Sequence, residues 1–81
     1  MTKQEFFKKA EIAQDYQKVS SSDVWRRKPK SYGINNAEYL EWDHLHNEVE
    51  AYDKCRDHLG AIDPKTNKIY KYAVKGRRLK K

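Results

Sequence analysis

The residue types that could carry out chemistry are concentrated in Glu41–Gly60, EWDHLHNEVEAYDKCRDHLG, which contains all three histidines and the only cysteine of the chain. Zinc requires about four nitrogen or sulfur ligands around one point. On a continuous helix, His44 and Cys55 would lie about 16 Å apart, at 1.5 Å per residue. His44 and His46 would point to opposite sides of the same helix. The pattern therefore predicts no metal site, and we expect no cofactor.

Two catalytic arrangements use the same stretch. Cys55 and His58 have the right types for a nucleophile and its base, but neighbouring turns of one exposed helix offer neither a pocket nor an oxyanion hole. Asp43, His44 and Asn47, together with His58, suit an HNH-type nuclease, but that chemistry needs a strand–helix fold around a metal. We therefore expect a non-enzymatic protein with no catalytic residue and no small-molecule substrate.

The N-terminal part of the chain has a helical pattern. Thr2 and Glu5 have the T-x-x-E spacing of a capping box, in which each side chain accepts a backbone N–H at the helix start. Apolar residues then recur at helical spacing, which predicts a helix over residues 3–18. Three serines at positions 20–22 favour a break, because their hydroxyls compete for backbone hydrogen bonds.

A second, longer helix is predicted to begin at Asn35 or Asn36 and to end at Gly60, where the backbone can adopt a C-terminal cap. Its apolar residues lie within about 80° on a helical wheel at 100° per residue, with Trp42 at the border. These residues are Leu45, Val49, Tyr52 and Leu59. The first helix covers this stripe only in part, so a homodimer that buries the remainder is a further prediction.

The C-terminal part contains the turn signal DPKTN, so Ala61–Ile62 is predicted to pair with Ile69–Val74 in a short hairpin. The fold class is therefore mainly α (α+β), a helical hairpin with one long amphipathic helix and a short C-terminal β-hairpin. At 81 residues the chain has room for a single small domain, which we place at 1–74. A basic flexible tail follows at 75–81.

Charge is divided unevenly along the chain. Residues 1–34 carry a net charge of +4, residues 35–59 of −5 and residues 60–81 of +7. Cationic side chains that neutralise phosphates gain affinity by releasing counterions, and aromatic side chains between them can stack on bases. We therefore expect contacts with nucleic acid, or with a protein associated with it, through a basic loop and the tail. The predicted contact residues are Arg26, Arg27, Lys28, Lys30, Tyr32, Lys75, Arg77, Arg78, Lys80 and Lys81.

The polar side of the long helix leaves an alternative open. Its acidic stripe is either a solvated helix face or the surface by which a small inhibitor or adaptor, of the kind phages encode, binds a host or defence protein. The predicted partner-binding residues are Asp43, Glu50, Asp53 and Asp57. The first residues contain no apolar run typical of a signal peptide, and no stretch is long and apolar enough for a membrane span. We therefore expect a cytoplasmic protein without a membrane partner.

Overall fold

The computed structural model describes residues 2–19 and 23–80, which form two short helices and a six-stranded antiparallel sheet. The strands lie side by side in sequence order from β1 to β6. Neither helix in this part of the chain has the length and apolar character needed to cross a lipid bilayer. The elements are α1 (Lys3–Phe7), α2 (Ala10–Asp15), β1 (Tyr16–Lys18), β2 (Val24–Arg27), β3 (Tyr39–Asp43), β4 (Glu48–Tyr52), β5 (His58–Asp63) and β6 (Lys68–Tyr72).

The predicted mainly α fold with a long second helix is wrong. Its segment forms β3, β4 and the start of β5. Asn47 and Arg56, in the turns between these strands, have φ angles of +50° and +69°, which a right-handed helix does not contain. Leu45, assigned to the apolar stripe, is 83% exposed at a turn. The homodimer prediction depended on that apolar stripe, so the structure gives it no support.

The N-terminal region is helical, but for a shorter stretch than predicted. The predicted cap at Thr2 is confirmed, since its hydroxyl accepts the Glu5 N–H at 3.2 Å. The Glu5 carboxylate accepts a hydrogen bond from the Thr2 hydroxyl at 3.1 Å, which differs from the backbone contact of a complete capping box. The helix is interrupted between α1 and α2, and the chain becomes extended at Tyr16. The break predicted at residues 20–22 lies outside the described residues.

The sheet has two faces with different coverings. On the first, which we call the core face, side chains of β3, β4 and β5 pack with Phe6 of α1 and Ile12 of α2. This cluster is assembled by strand alternation, because Leu40 lies opposite Ala51 and Trp42 opposite Val49. Side chains at alternate positions of a strand point to the same side, so the period of two decides which residues are buried here.

The second face, which we call the acidic face, is covered by the C-terminal segment 74–80. Leu79 is only 5% exposed and packs with Val24, Tyr39 and Tyr52. Its N–H donates to the Arg56 carbonyl at 2.9 Å. The segment that the sequence analysis expects to be loose is therefore docked on the sheet as far as residue 80.

The C-terminal strands pair as the turn signal indicates, with Ile62 opposite Ile69 and Ala61 opposite Lys71. Gly60, predicted to end a helix, lies instead within β5 at φ +142°. A Cβ at this position would lie 2.5 Å from the Lys71 carbonyl oxygen. Glycine is required because the neighbouring strand passes too close for any side chain.

The turn between β3 and β4 is tied to the N-terminal helix through Asp23. One carboxylate oxygen of Asp23 lies 2.9 Å from Lys3 Nζ, and the other lies 2.7 Å from His44 Nε2. Hydrogen bonds from Lys3 and then His44 lower the pKa of Asp23 to about 2. Asp23 thus links three segments that are distant in the sequence.

We expect Asp23→Asn to destabilise the protein at neutral pH, by about 0.5–1 kcal/mol because the pairs are partly solvated. The folded pKa is depressed, so the carboxylate stabilises the fold above its unfolded pKa of about 3.9, and this contribution is lost as the pH falls through about 2. Thermal unfolding of both proteins across this range tests the prediction. Asp57→Asn, which removes a pair with both side chains more than half exposed, is the control. If Asp23→Asn destabilised the protein equally at neutral pH and below pH 2, the ionised Asp23 carboxylate would not be the stabilising group.

Candidate active site on the acidic face

Four carboxylates form a compact group on the acidic face, which we call the acidic quartet: Glu41, Asp43, Glu48 and Glu50. The strand register places Glu41 directly opposite Glu50, and Asp43 directly opposite Glu48. Like charges directly opposite each other on neighbouring strands destabilise a sheet. Glu48 and Glu50 are also buried, at 2% and 5% exposure. An arrangement that costs stability in this way is typical of a functional site.

Glu50 is held by two groups from different parts of the chain. Its Oε2 lies 2.8 Å from His58 Nε2, and its Oε1 lies 3.5 Å from Arg77 Nη1. The Val74 N–H donates to His58 Nδ1 at 2.9 Å. Since Nδ1 accepts this hydrogen bond, the N–H of the imidazole is at Nε2, which donates to Glu50. These contacts fix the orientation of the Glu50 side chain, and a fixed position is what a general base requires.

The buried carboxylate of Glu48 is stabilised by two side chains of strand β6. It accepts hydrogen bonds from the Tyr70 hydroxyl and, at 3.1 Å, from Lys71 Nζ. The hydrogen bond to Glu48 raises the pKa of the Tyr70 phenol and is also the main cause of the raised pKa of Lys71. Both partners therefore stay protonated at neutral pH, and Glu48 is occupied by structural contacts.

Asp43 orients a histidine at the edge of the face. Its carboxylate accepts the N–H groups of Leu45 and His46 and lies 2.9 Å from His46 Nδ1. Burial alone would raise the pKa of Asp43, but these hydrogen bonds outweigh it and the pKa is lowered. The ionised carboxylate fixes His46 through Nδ1, so Nε2 of this exposed imidazole is the nitrogen left for a substrate.

Asp43, His46 and Glu48 also place one potential ligand atom each within 4.8 Å of the others. Carboxylate and imidazole are ligands that divalent transition metals accept, so this group could hold a cation. The sequence argument against a metal site assumed a continuous helix and does not apply to this hairpin. The prediction of no metal remains untested.

A cleft of about 490 Å³ opens beside the quartet, between the sheet and the C-terminal segment. Its lining residues are Glu41, Tyr52, Gly76, Arg77, Arg78, Leu79 and Lys80. Burial, together with the charge of Glu41, raises the pKa of Tyr52 to about 12. The phenol is therefore protonated at neutral pH and donates to Glu41 at 3.3 Å. The cleft thus combines the Tyr52 hydroxyl with the guanidinium group of Arg77, which contacts Glu50.

The predicted basic loop forms a second cleft, of about 500 Å³. Arg26, Arg27, Lys28 and Lys30 all line it. Tyr32, predicted to stack on bases with them, is 95% exposed and lies outside its lining. The structure therefore brings together the four cations of this group but not their aromatic residue.

The cations of the C-terminal tail contact different parts of the molecule. Arg77 turns inward to Glu50, whereas Arg78 donates to the Cys55 carbonyl at 2.7 Å and pairs with Asp57. Lys75 and Lys80 are exposed. Lys81 lies outside the described residues.

The predicted acidic stripe does not exist as a continuous surface. Asp43 and Glu50 share the acidic face, but Asp53 and Asp57 lie in the turn between β4 and β5. Asp53 accepts the N–H groups of Cys55 and Asp57, at 2.8 and 3.0 Å. Its role there is to shape the turn.

The sequence analysis did not select His46, Glu48 or the pairing of His58 with Glu50. A signal for the carboxylates is present, because YLEWD and EVEAY alternate with a period of two and place every acidic residue on one side. The contacts of His58 and Arg77 with Glu50 have no comparable signal, because they join segments that meet only in the folded sheet.

Comparisons with known proteins give one family match and one curated relative. A family model described as Cytotoxic matches residues 7–80. The cloacin of Escherichia coli is 39% identical over 56 residues, which cover 68% of this chain and 10% of the cloacin. The chain therefore spans about a tenth of the length of this curated relative. No solved structure matches the chain.

Proposed function

Because this chain belongs to the Cytotoxic family, we propose that it is a toxin domain that cleaves RNA by general acid–base catalysis on its acidic face. The observation that carries the proposal is Glu50, a buried carboxylate held between His58 and Arg77 and opposed by a second carboxylate. A buried carboxylate that faces a second carboxylate costs stability, and features with such a cost are typical of functional sites.

RNA is the substrate class that suits these residues, because it carries its own nucleophile. In the proposed step Glu50 takes the proton from a 2′-hydroxyl, and the 2′-oxygen attacks the adjacent phosphorus. The P–O5′ bond breaks, and protonated His46 gives its Nε2 proton to the leaving 5′-oxygen. The products are a 2′,3′-cyclic phosphate and a 5′-hydroxyl.

The positions of the two groups suit this step. His46 follows Asp43, which lies opposite Glu48, and Glu48 and Glu50 are two residues apart on β4. Two residues of a strand span about 7 Å, and a ring nitrogen of His46 lies within 4.8 Å of Glu48, so the acid lies close to the neighbour of the base on β4. Arg77, next to Glu50, supplies the positive charge that stabilises the extra negative charge of the transition state.

The remaining cations have a role in the same proposal. Lys75, Arg78 and Lys80 on the tail would contact phosphates through charge, as would the cations of the basic loop. Non-enzymatic nucleic-acid binding through these groups is the simpler function that the sequence analysis expects, and it remains untested. The sequence analysis argued against catalysis because it assumed an exposed helix without a pocket. That helix is absent from the described part of the chain.

The inhibitor or adaptor alternative gains less support. It requires Asp43, Glu50, Asp53 and Asp57 as one exposed surface, whereas Glu50 is buried and Asp53 is occupied in a turn. No second function is therefore proposed.

Incubation of the purified chain with end-labelled single-stranded RNA tests the proposal, with DNA of the same sequence as the control. We expect cleavage of RNA in the presence of EDTA, with cyclic phosphate ends on the products, and intact DNA. Binding of RNA without any cleavage would reject catalysis and favour a binding protein. Cleavage that EDTA abolishes would reject the metal-free step and direct attention to Asp43, His46 and Glu48.

A further inference from the structure

The cleft formed by the basic loop has features of a binding site separate from the acidic quartet. Its charged lining consists of five cations and, within the described chain, one carboxylate, that of Glu38. Val19 and Pro29 add an apolar patch, and Gln17 adds an amide. Its volume of about 500 Å³ lies within the range of small-ligand sites. The cations are Lys18, Arg26, Arg27, Lys28 and Lys30.

The cations of this cleft differ in availability. Glu38 pairs with Arg27 at 3.1 Å and with Arg26 at 3.4 Å, so its charge is used by the two arginines. Across residues 2–19 and 23–80, no carboxylate lies within ion-pair distance of Lys18, Lys28 or Lys30. Lys28 Nζ donates only to a carbonyl, that of Ala13, at 3.1 Å. The cleft therefore holds an excess of positive charge that an anion would neutralise.

The loop that supplies this charge is held in place by its backbone. The Lys28 N–H donates to the Asp15 carbonyl at 2.7 Å, and the Ser31 hydroxyl contacts the same carbonyl at 3.1 Å. The Gly33 N–H donates to the Asp15 carboxylate at 3.0 Å. A Cβ on Gly33, at φ +73°, would lie 2.6 Å from the Tyr16 hydroxyl. A preformed loop loses little entropy when it binds a ligand.

Part of the cleft lies on the same face of the sheet as the quartet. Gln17 pairs with Arg26, Arg26 with Tyr39, and Tyr39 with Tyr52, so these side chains share the acidic face. Lys18 and Arg27 pair with Trp25 and Tyr16 and point to the core face. Neighbouring strands are about 4.8 Å apart, so Arg26 on β2 lies about 10 Å across the sheet from β4, the strand of Glu50. A nucleic-acid strand that crosses the face perpendicular to the β-strands would meet both sites.

From this arrangement we infer that the cleft binds a phosphate-bearing nucleotide of the RNA, at a position away from the cleaved bond. This inference rests on the proposed function, because it assigns the cleft to the same substrate. The concave shape and the apolar patch fit a ribose phosphate with its base better than the flat surface of an acidic protein. The cleft then contributes to substrate affinity and leaves the chemical step to the quartet.

Binding of a fluorescein-labelled 2′-O-methyl RNA 12-mer tests the inference, because this probe lacks the nucleophile and binding is measured independently of cleavage. We expect Lys28→Glu/Lys30→Glu to weaken binding at least ~10-fold and to reduce the salt slope by about 1.4, since each single-strand phosphate contact contributes about 0.7. Lys65→Glu/Lys68→Glu, with the same charge change at two exposed lysines near the β5–β6 turn, should change binding less than about twofold by the same reasoning. On cleavable RNA, the first pair should raise KM and leave kcat unchanged.

Equal weakening by the two pairs would overturn the inference, because binding would then depend on net charge alone. Polyglutamate that competes with RNA at equal affinity would also overturn it, in favour of an acidic protein partner. Lys30→Glu alone, at an exposed position, serves if the double variant does not fold. Specific binding without cleavage would reject the proposed function alone, whereas cleavage with an unchanged KM in the loop variants would reject this inference alone.

Discussion

Replacing Glu50 by Gln is expected to lower the rate of RNA cleavage by about 10²–10⁴-fold, the usual contribution of a general base. The amide keeps the size of the side chain, and its oxygen can still accept a hydrogen bond from His58 Nε2. It cannot act as a base toward a 2′-hydroxyl. The affinity for the 2′-O-methyl RNA should stay nearly the same, since most phosphate contacts come from other residues. The measurement is single-turnover cleavage by the variant and the original protein.

The same substitution should leave the fold intact, because the loss of repulsion between two carboxylates that face each other across β3 and β4 offsets the loss of the contact with Arg77. A loss of activity together with an equal or higher melting temperature would separate catalysis from structure. Glu11→Gln is the control, since this exposed carboxylate on α2 contacts Asn67 and lies outside the acidic quartet. Retention of more than about a tenth of the activity by the Glu50 variant would exclude a general base of the usual strength.

Replacing Leu79 by Ala is expected to lower the free energy of unfolding by about 2–4 kcal/mol, as for other buried leucines. Leu79 is 5% exposed in the cluster with Val24, Tyr39 and Tyr52. For a domain of this size, each 1 kcal/mol lowers the melting temperature by about 4–8 °C. Thermal unfolding followed by circular dichroism measures this effect. The activity should fall as well, because the segment that Leu79 anchors carries Arg77.

Val74→Ala provides the control for this prediction, because Val74 is 53% exposed and its loss should cost no more than about 0.5 kcal/mol. Equal melting temperatures for the two variants would show that the segment is not anchored by Leu79. The sequence analysis expects residues 75–81 to be dispensable for folding, and the docked Leu79 predicts the opposite.

Local signals in the sequence predicted local features correctly. The capping box at Thr2 marks the start of α1, and DPKTN marks the turn between β5 and β6. Both depend on hydrogen bonds and backbone preferences within about five residues. The basic loop was likewise recognisable from its composition, and its four cations line one cleft.

The error at Glu41–Gly60 has a physical origin. Glu, Ala and Leu favour helices, and a few apolar residues in a short segment match both a period of 3.6 and a period of two. Strand preference depends strongly on the neighbouring strands, which are not visible in the segment itself. Here Leu40 and Trp42 become buried in a cluster that also needs Ala51 and Val49 opposite them on β4. This pairing between strands favours the sheet over the helix.

The sequence by itself therefore determined the residue types of this protein, the distribution of its charge and the turns that depend on adjacent residues. The tertiary structure decided the site. It placed Glu50 opposite Glu41, brought His58 to Glu50 from β5, and brought Arg77 from the C-terminal segment. These contacts span up to 27 positions of the chain, and their energy depends on burial and strand register. A pattern confined to neighbouring residues indicates which side chains share a face of a strand, but not which strands and segments meet at that face.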